Sequence, residues 1–333
     1  MGNTVDVAAI LTGFLVSIVI YNISLLYGTV GEIITEKSGS LNLGVEGTMA
    51  IGAIVGYVLG CITDNFIVAI LAAFIGAGLC GLIFAVLTVT LQANQNVTGL
   101  TITTFGLGLY FFIGKGFGEK WPAMIDHPNI KAANNPIEIP LLSKIPFIGE
   151  ALFSRSLLTY LGIIIAILAW VYIKYTKFGL RLRAVGENPA TADSAGVNVT
   201  LYKYVHIIIG SGIMGIGGLN MGLLLSGSFE GSTSWINGYG WIAIALVIFA
   251  NWNCALAILG TFVFGLFNSL QYYSGSLVHA FPNALGWLNK IPPQFFQALP
   301  FLITIIVLII SSINKSRNAQ PTAIGLNYFR EDR

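Results

Sequence analysis

Recurring apolar runs of about twenty residues decide what this chain can fold into. A helix needs about 20 residues to cross a hydrocarbon core about 30 Å thick. Runs of that kind are Ala8–Val30, Leu41–Ile62, Phe66–Leu91, the more polar Val97–Ile113, Leu157–Ile173 and Tyr204–Leu225. A pair, Trp241–Ala250 and Cys254–Tyr273, is split by Asn251-Trp252-Asn253, and Phe295–Ile313 follows with a kink expected at Pro300. Lipid offers the backbone no hydrogen-bond partners, so such runs must satisfy themselves as helices. The expectation is an all-α polytopic membrane protein with about eight or nine transmembrane helices, forming one domain over residues 1–333. The count turns on Trp241–Ala250, which is short enough to be re-entrant.

Composition agrees. Charged residues make up 9% of the chain, against about 25% in soluble domains. Glycine, at 39 of 333 residues, is the residue that lets membrane helices approach backbone to backbone. A net charge of +2 provides no basic surface for nucleic acid, leaving membrane lipid as the surrounding medium. Cys61, Cys80 and Cys254 lie in or beside apolar runs without a C-x-x-C pair and read as packing residues. His127, His206 and His279 are far apart in sequence, so no metal site is expected. No basic segment precedes the first run, which therefore reads as a span rather than a cleaved leader.

The positive-inside rule leans toward one orientation without fixing it. Lys174, Lys177, Arg181 and Arg183 crowd the start of the polar stretch 174–203, and the tail 314–333 carries Lys315, Arg317, Arg330 and Arg333. Against them, the loop 114–156 carries Lys115, Lys120, Lys131, Lys144 and Arg155 over a greater length. Its Trp121, Pro122, Pro128, Pro136, Pro140 and Pro146 suit an external cap. An internal echo appears at an offset of 188 residues: Ala69-Ile70-Leu71…Phe74 with Ala257-Ile258-Leu259…Phe262, and Gly52-x-Ile54 with Gly240-x-Ile242. The shift spans five crossings, an odd number. The two halves would then be inverted repeats, whose discontinuous helices face a central pathway.

Three polar stretches are candidates for that pathway. Gly31 to Gly47, GEIITEKSGSLNLGVEG, sets Glu32, Glu36, Lys37 and Glu46 between two spans. Charge inside a membrane is costly unless it is paired or faces water, although Glu36 and Lys37 also suit a solvated interfacial loop. Asn42 and Glu46 are four apart, the spacing of one helical face, and would present an amide and a carboxylate. Gln92 to Thr104 places Asn94, Gln95, Asn96, Thr98, Thr101, Thr103 and Thr104 at the mouth of the fourth span. Such a seam suits a neutral, hydroxyl-rich solute, and equally suits polar contacts between helices. Gly227 to Gly240 carries Phe229, Trp235 and Tyr239 with Ser232, Thr233 and Asn237. These side chains would stack on a ring and bond its edge, or form an interfacial aromatic belt. Trp252 and Trp287 are assigned to that belt.

The stretch Gly179 to Val199, GLRLRAVGENPATADSAGVNV, carries the marks of a short helix. Asn188 is placed as N-cap and Pro189 at the first helical position, while Gly196 is a left-handed terminator. A helix of about 8 residues is about 12 Å long, too short to span and marginal alone in water. An ordinary connector shares these features.

Its pattern G-x-x-x-R-A-V-G-E-N-P-x-x-A-x-x-x-G nevertheless resembles the coupling loop of ABC-importer permeases that serve sugars, branched-chain amino acids and nucleosides. Gly179, Arg183, Ala184, Gly186, Glu187, Asn188, Pro189, Ala192 and Gly196 fall in register. The segment G-E-x-x-x-E-x-S-G-x-L-N-L-G-x-E-G and the tail PTAIGLNYFREDR resemble the nucleoside branch, which implies a purine nucleoside as cargo. The resemblance implies that Arg183, Gly186, Glu187, Asn188, Pro189, Ala192 and Gly196 couple the chain to a separate ATPase. It also implies a second homologous permease, an extracytoplasmic substrate-binding lipoprotein and a multi-pass place in a bacterial inner membrane. The coupling loop and tail would then be cytoplasmic.

No G-x-x-x-x-G-K-[ST] is present; Leu109 stands where the upstream glycine of Gly114-Lys115 would be. ATP phosphates therefore have no usual cradle here, and ATP with its Mg would be held by the partner, with no cofactor on this chain. No Ser-His-Asp, H-E-x-x-H or paired-carboxylate pattern argues for catalysis. The competing expectations are a ribose-type or branched-chain amino acid permease and, in a different class, an ion-coupled transporter using Glu32 and Glu46.

Overall fold

The structure, a computed structural model, describes residues 7–117, 123–146, 148–225, 229, 231, 234–292, 295–296, 298–299, 301–303, 305–306, 309 and 320–329. Among the described residues, seven helical segments are long and apolar enough to cross a membrane: α1 (Val7–Glu36), α2 (Val45–Thr63), α3 (Phe66–Ala85) with its π-helical continuation Val86–Thr90, α4 (Gln95–Phe117), α7 (Leu157–Tyr175), α10 (Val199–Leu225) and α12 (Cys254–Ala280). Between α4 and α7 lie α5 (Pro128–Asn134), α6 (Ile148–Phe153) and a small antiparallel pairing of β1 (Ile137–Glu138) with β2 (Ser154–Arg155). Between α7 and α10 lie α8 (Lys177–Glu187) and α9 (Pro189–Ser194). After α10 come α11 (Tyr239–Phe249) and, beyond α12, α13 (Pro282–Leu285). The described residues of 295–309 are helical, where the last span was expected. Trp121, Pro122, Ser232, Thr233, Pro300 and the cations of 315–317 and 330–333 lie outside the described residues.

Against the eight or nine crossings expected, seven helices of spanning length stand among the described residues, and two differences bear on the site. The first span extends through Glu36, so Glu32 and Glu36 stand on the helix and are buried. The short run becomes α11, whose 11 residues cover about 16 Å at 1.5 Å per residue, about half a hydrocarbon core.

Helix ends show which way each element runs. Residues 36–41, 92–95, 186–193, 252 and 322–328 meet at one end, here the α9 end. Gly186 O accepts from Ala323 N at 3.0 Å, Gly39 O from Gly325 N at 3.3 Å, and Gln92 Nε2 donates to Tyr328 O at 3.1 Å. At the opposite end, Asp64 accepts from Asn129 Nδ2 at 2.9 Å, and Tyr160 donates to Ile137 O. α2 therefore leaves the α9 end and α3 returns to it, whereas α11 approaches that end and α12 leaves it.

The 188-residue echo thus joins antiparallel pairs. The echo also holds at the caps: Asn65 Oδ1 accepts from Ile67 N to open α3, and Asn253 Oδ1 accepts from Ala255 N to open α12. α10 packs on α3 and α2, as α1 packs on α12 and α11.

The core closes by backbone approach. A Cβ on Gly52 would overlap Gly215 Cα, and one on Gly218 would overlap Met49 O. Replacing Gly52 with Val should therefore cost about 3 kcal/mol or more, at the top of the usual overpacking range. Gly108→Ala, whose added carbon meets nothing within 4 Å, should leave stability unchanged or slightly raised. Thermal melts in detergent separate the two, and equal midpoints would contradict the glycine-packed core. Cys61, Cys80 and Cys254 are buried free thiols, as a packing role requires.

Candidate functional site

The α9 end is built from a short helix that caps itself and a longer one not foreseen. Asn188 Oδ1 accepts from Thr191 N at 3.0 Å, Pro189 takes the first helical position, and Gly196 ends the motif at φ +80°. Ala192 tucks its methyl between Val185 and Val199. α8 precedes it, over the basic stretch that opens with Lys177. Its overlooked signals are Thr176, whose Oγ1 accepts from Gly179 N at 3.0 Å, and the buried pair Leu182 and Val185, three apart. Arg183 and Asn188 stay exposed.

Gly186 fits against Lys37 O so closely that a Cβ would overlap it. Glu187, expected to serve coupling, is engaged within the chain: its Oε2 accepts from Thr322 N at 3.2 Å and Thr322 Oγ1 at 2.7 Å. Lys37 and Arg183 border a cavity of about 170 Å³ with Trp170, Lys174 and Trp252. Burial holds the Lys37 ammonium below the usual lysine range, and the nearby Glu187 carboxylate opposes that shift.

The segment 320–329 crosses this end as a strap. Beyond its bonds to Gly186, Glu187 and Gly39, Asn327 Oδ1 accepts from Gln95 Nε2 at 3.2 Å and Tyr328 Oη donates to Asp193 at 2.8 Å. The strap thus ties α8 and α9 to the α1–α2 and α3–α4 connectors. Nothing local in the sequence signals these contacts, because every partner is more than 130 positions away.

The carboxylates of the α1–α2 stretch are used as internal acceptors. Glu32 accepts from Asn42 N and Nδ2, both at 3.3 Å, while Asn42 Oδ1 accepts from Gly44 N at 2.8 Å. Asn42 therefore sits in a turn before α2 and does not share a helical face with Glu46, because its own side chain closes that turn. Glu36 accepts a hydrogen bond from Trp252 Nε1, giving this tryptophan a specific donor role beyond belt packing. Glu46 reaches across to α11, where its two oxygens accept from Gly238 N and Gly240 N, each at 2.7 Å. A carboxylate there satisfies free N–H groups and complements the helix dipole.

The threonine seam is split. Thr98 and Thr103 are buried, and Thr103 Oγ1 donates to Leu43 O at 3.0 Å. Thr101 and Thr104 are exposed on the outer face, where each donates to the carbonyl four residues back. That local bond satisfies the hydroxyl within its own helix. Gln95 accepts from Leu41 N at 2.7 Å, Asn94 Oδ1 accepts from Val97 N, and Asn96 is exposed.

The aromatic stretch also divides. Phe229 and Trp235 are buried against Tyr57 and Tyr110, with ring centroids 5.3 to 5.7 Å apart. The two rings also pack closely on neighbouring helices: Trp235 lies 2.5 Å from where a Cβ on Gly222 would stand, and Phe229 2.0 Å from one on Gly114. Asn237 and Tyr239 instead face a cavity of about 290 Å³ beside the start of α11.

Comparison with known proteins agrees with this architecture. The family described as the permease component of branched-chain amino acid transport systems matches residues 8–308. The nucleoside ABC transporter permease protein NupC of Lactococcus lactis is 35% identical, over 94% of this chain and 96% of its own. The guanosine ABC transporter permease protein NupQ of Bacillus subtilis is 31% identical, over 98% and 100%. A putative glucose ABC transporter permease protein of Haloferax volcanii is 35% identical, over 92% and 94%. No solved structure matches. With its seven candidate spans and glycine-packed core, the chain belongs to this permease family, as a non-catalytic, multi-pass membrane component of an ABC transporter.

Proposed function

We propose that the chain forms the membrane pathway of an ATP-driven nucleoside importer. The observation that carries this reading is similarity over nearly the whole chain to permeases named for nucleosides and guanosine. The α9 end faces the cytoplasm and rests on an ATPase subunit, which holds ATP and Mg. A second permease and an extracytoplasmic binding lipoprotein complete the importer. ATPase closure displaces α9, and the bonded strap carries that displacement to the α1–α2 and α3–α4 connectors, which switches the pathway from outward- to inward-open. Exposed Arg183, Asn188 and the outer turn of α9 meet the ATPase, while Gly186, Glu187 and Ala192 hold α8 and α9 in place.

A sugar is the second reading, supported by the Haloferax relative. Proteoliposomes containing the assembled importer and its binding protein separate the two. Labelled guanosine or adenosine should enter, and unlabelled nucleosides should compete where glucose and leucine do not. Uptake of glucose alone would favour the second reading.

A further inference from the structure

Resting on the nucleoside reading, we propose that the cavity beside the start of α11 is the site where the permease itself holds one nucleoside during passage. Its volume is about 290 Å³, and Asn237, Tyr239, Phe264, Asn268, Tyr272 and Phe301 are prominent in its lining. That volume sits at the lower end of the roughly 300–1,000 Å³ typical of small-molecule sites, suited to a single base with its ribose.

Depth supports the assignment. α11 reaches the α9 end after about 16 Å, so its start lies about halfway through the membrane. A broken helix at that depth is where transporters of inverted-repeat plan bind cargo.

Chemistry narrows the ligand. The N–H groups at Gly238 and Gly240 are already taken by Glu46, so the start of α11 holds no unclaimed positive end for an anion. Among the described residues, the lining is of phenyl rings, phenols, amides and the aliphatic Leu25 and Ile242, without a charged side chain. An amino acid zwitterion would leave both its charges unpaired there, at high cost. A nucleoside is neutral, and its base offers a flat face. Phe264 and Phe301 stand edge to face with centroids 6.4 Å apart, and Tyr272 is stacked on Tyr21 at 5.6 Å, which provides rings at the wall for stacking. Asn268 Nδ2 donates to Tyr239 Oη at 3.0 Å, leaving its carbonyl oxygen for a base or ribose donor. Asn237 is exposed to the cavity at φ +34°, a conformation asparagine tolerates.

The test uses the assembled importer in proteoliposomes with labelled adenosine, and 8-azidoadenosine as photoprobe. Asn237→Gly keeps the left-handed backbone while deleting the amide, and Asn268→Ala deletes the second amide. Each should raise the KM for adenosine uptake roughly 3- to 10-fold, the scale of one lost hydrogen bond. Photolabel should map to 237–239 or 264–272. If Asn268→Ala fails to accumulate, Asn237→Gly and the label carry the test. A wild type that transports adenosine, with unchanged KM in the variants and label elsewhere, overturns the cavity assignment alone. A wild type that transports no nucleoside overturns the functional reading and this assignment with it.

Discussion

Deleting residues 320–333 should leave the membrane bundle assembled yet lower ATP-driven uptake at least ten-fold, with ATP hydrolysis continuing. The strap lies across the α9 end and adds no span, so its removal subtracts little buried area from the helical core. It does remove the ties running from Glu187 and Asp193 to Gly39, Gln92 and Gln95. Without them, motion of α9 loses its bonded ties to the α1–α2 and α3–α4 connectors and keeps the close approach of Gly186 to Lys37 O. Glu187→Ala should reproduce part of the defect, since it strips two bonds from Thr322. Glu187→Gln retains an acceptor oxygen and should restore most of the function. The measurement is ATP hydrolysed per nucleoside imported. A truncated chain with the wild-type ratio would remove the strap from the mechanism.

Glu46→Ala should destabilise the fold by releasing the start of α11. It would leave the N–H groups of Gly238 and Gly240 without their acceptor, and Gly240 is buried. A buried donor left unpaired costs about 1–3 kcal/mol, so Gly240 puts that much at stake and half-buried Gly238 adds less, against a typical total of about 5–15 kcal/mol. Glu46→Gln keeps one acceptor and should lose about half as much. Detergent melts, with protease cutting in 226–240 as a local readout, report the difference. An alanine variant with the wild-type midpoint and protease pattern would show that Glu46 does not hold α11.

What the sequence disclosed, and what it withheld, follows from the range of the forces involved. Spans were legible because lipid imposes a length and an apolar composition on each run by itself. The α9 motif was legible too, since Asn188, Pro189 and Gly196 act within one or two turns. Glu46 reads in the string as a carboxylate offered to the pathway, but its partners stand 192 and 194 positions away, and no local pattern names them. The same distance hid the strap. Thr101 and Thr104 were grouped with Thr98 because hydroxyl chemistry is visible in a string, whereas the side of the helix each occupies is set by packing. Phe229 and Trp235 read as ligand platforms, whereas their packing on Tyr57 and Tyr110, more than 100 positions away, is not legible in the string.

The central claim is that this body has no motor of its own and is driven through α9. Its most direct test is labelled-nucleoside uptake in proteoliposomes, with and without the ATPase partner, under ATP or under an imposed ion gradient. Uptake should require both the ATPase and ATP, and should persist when ion gradients are collapsed. Uptake by the permease alone, driven by an ion gradient, would contradict it.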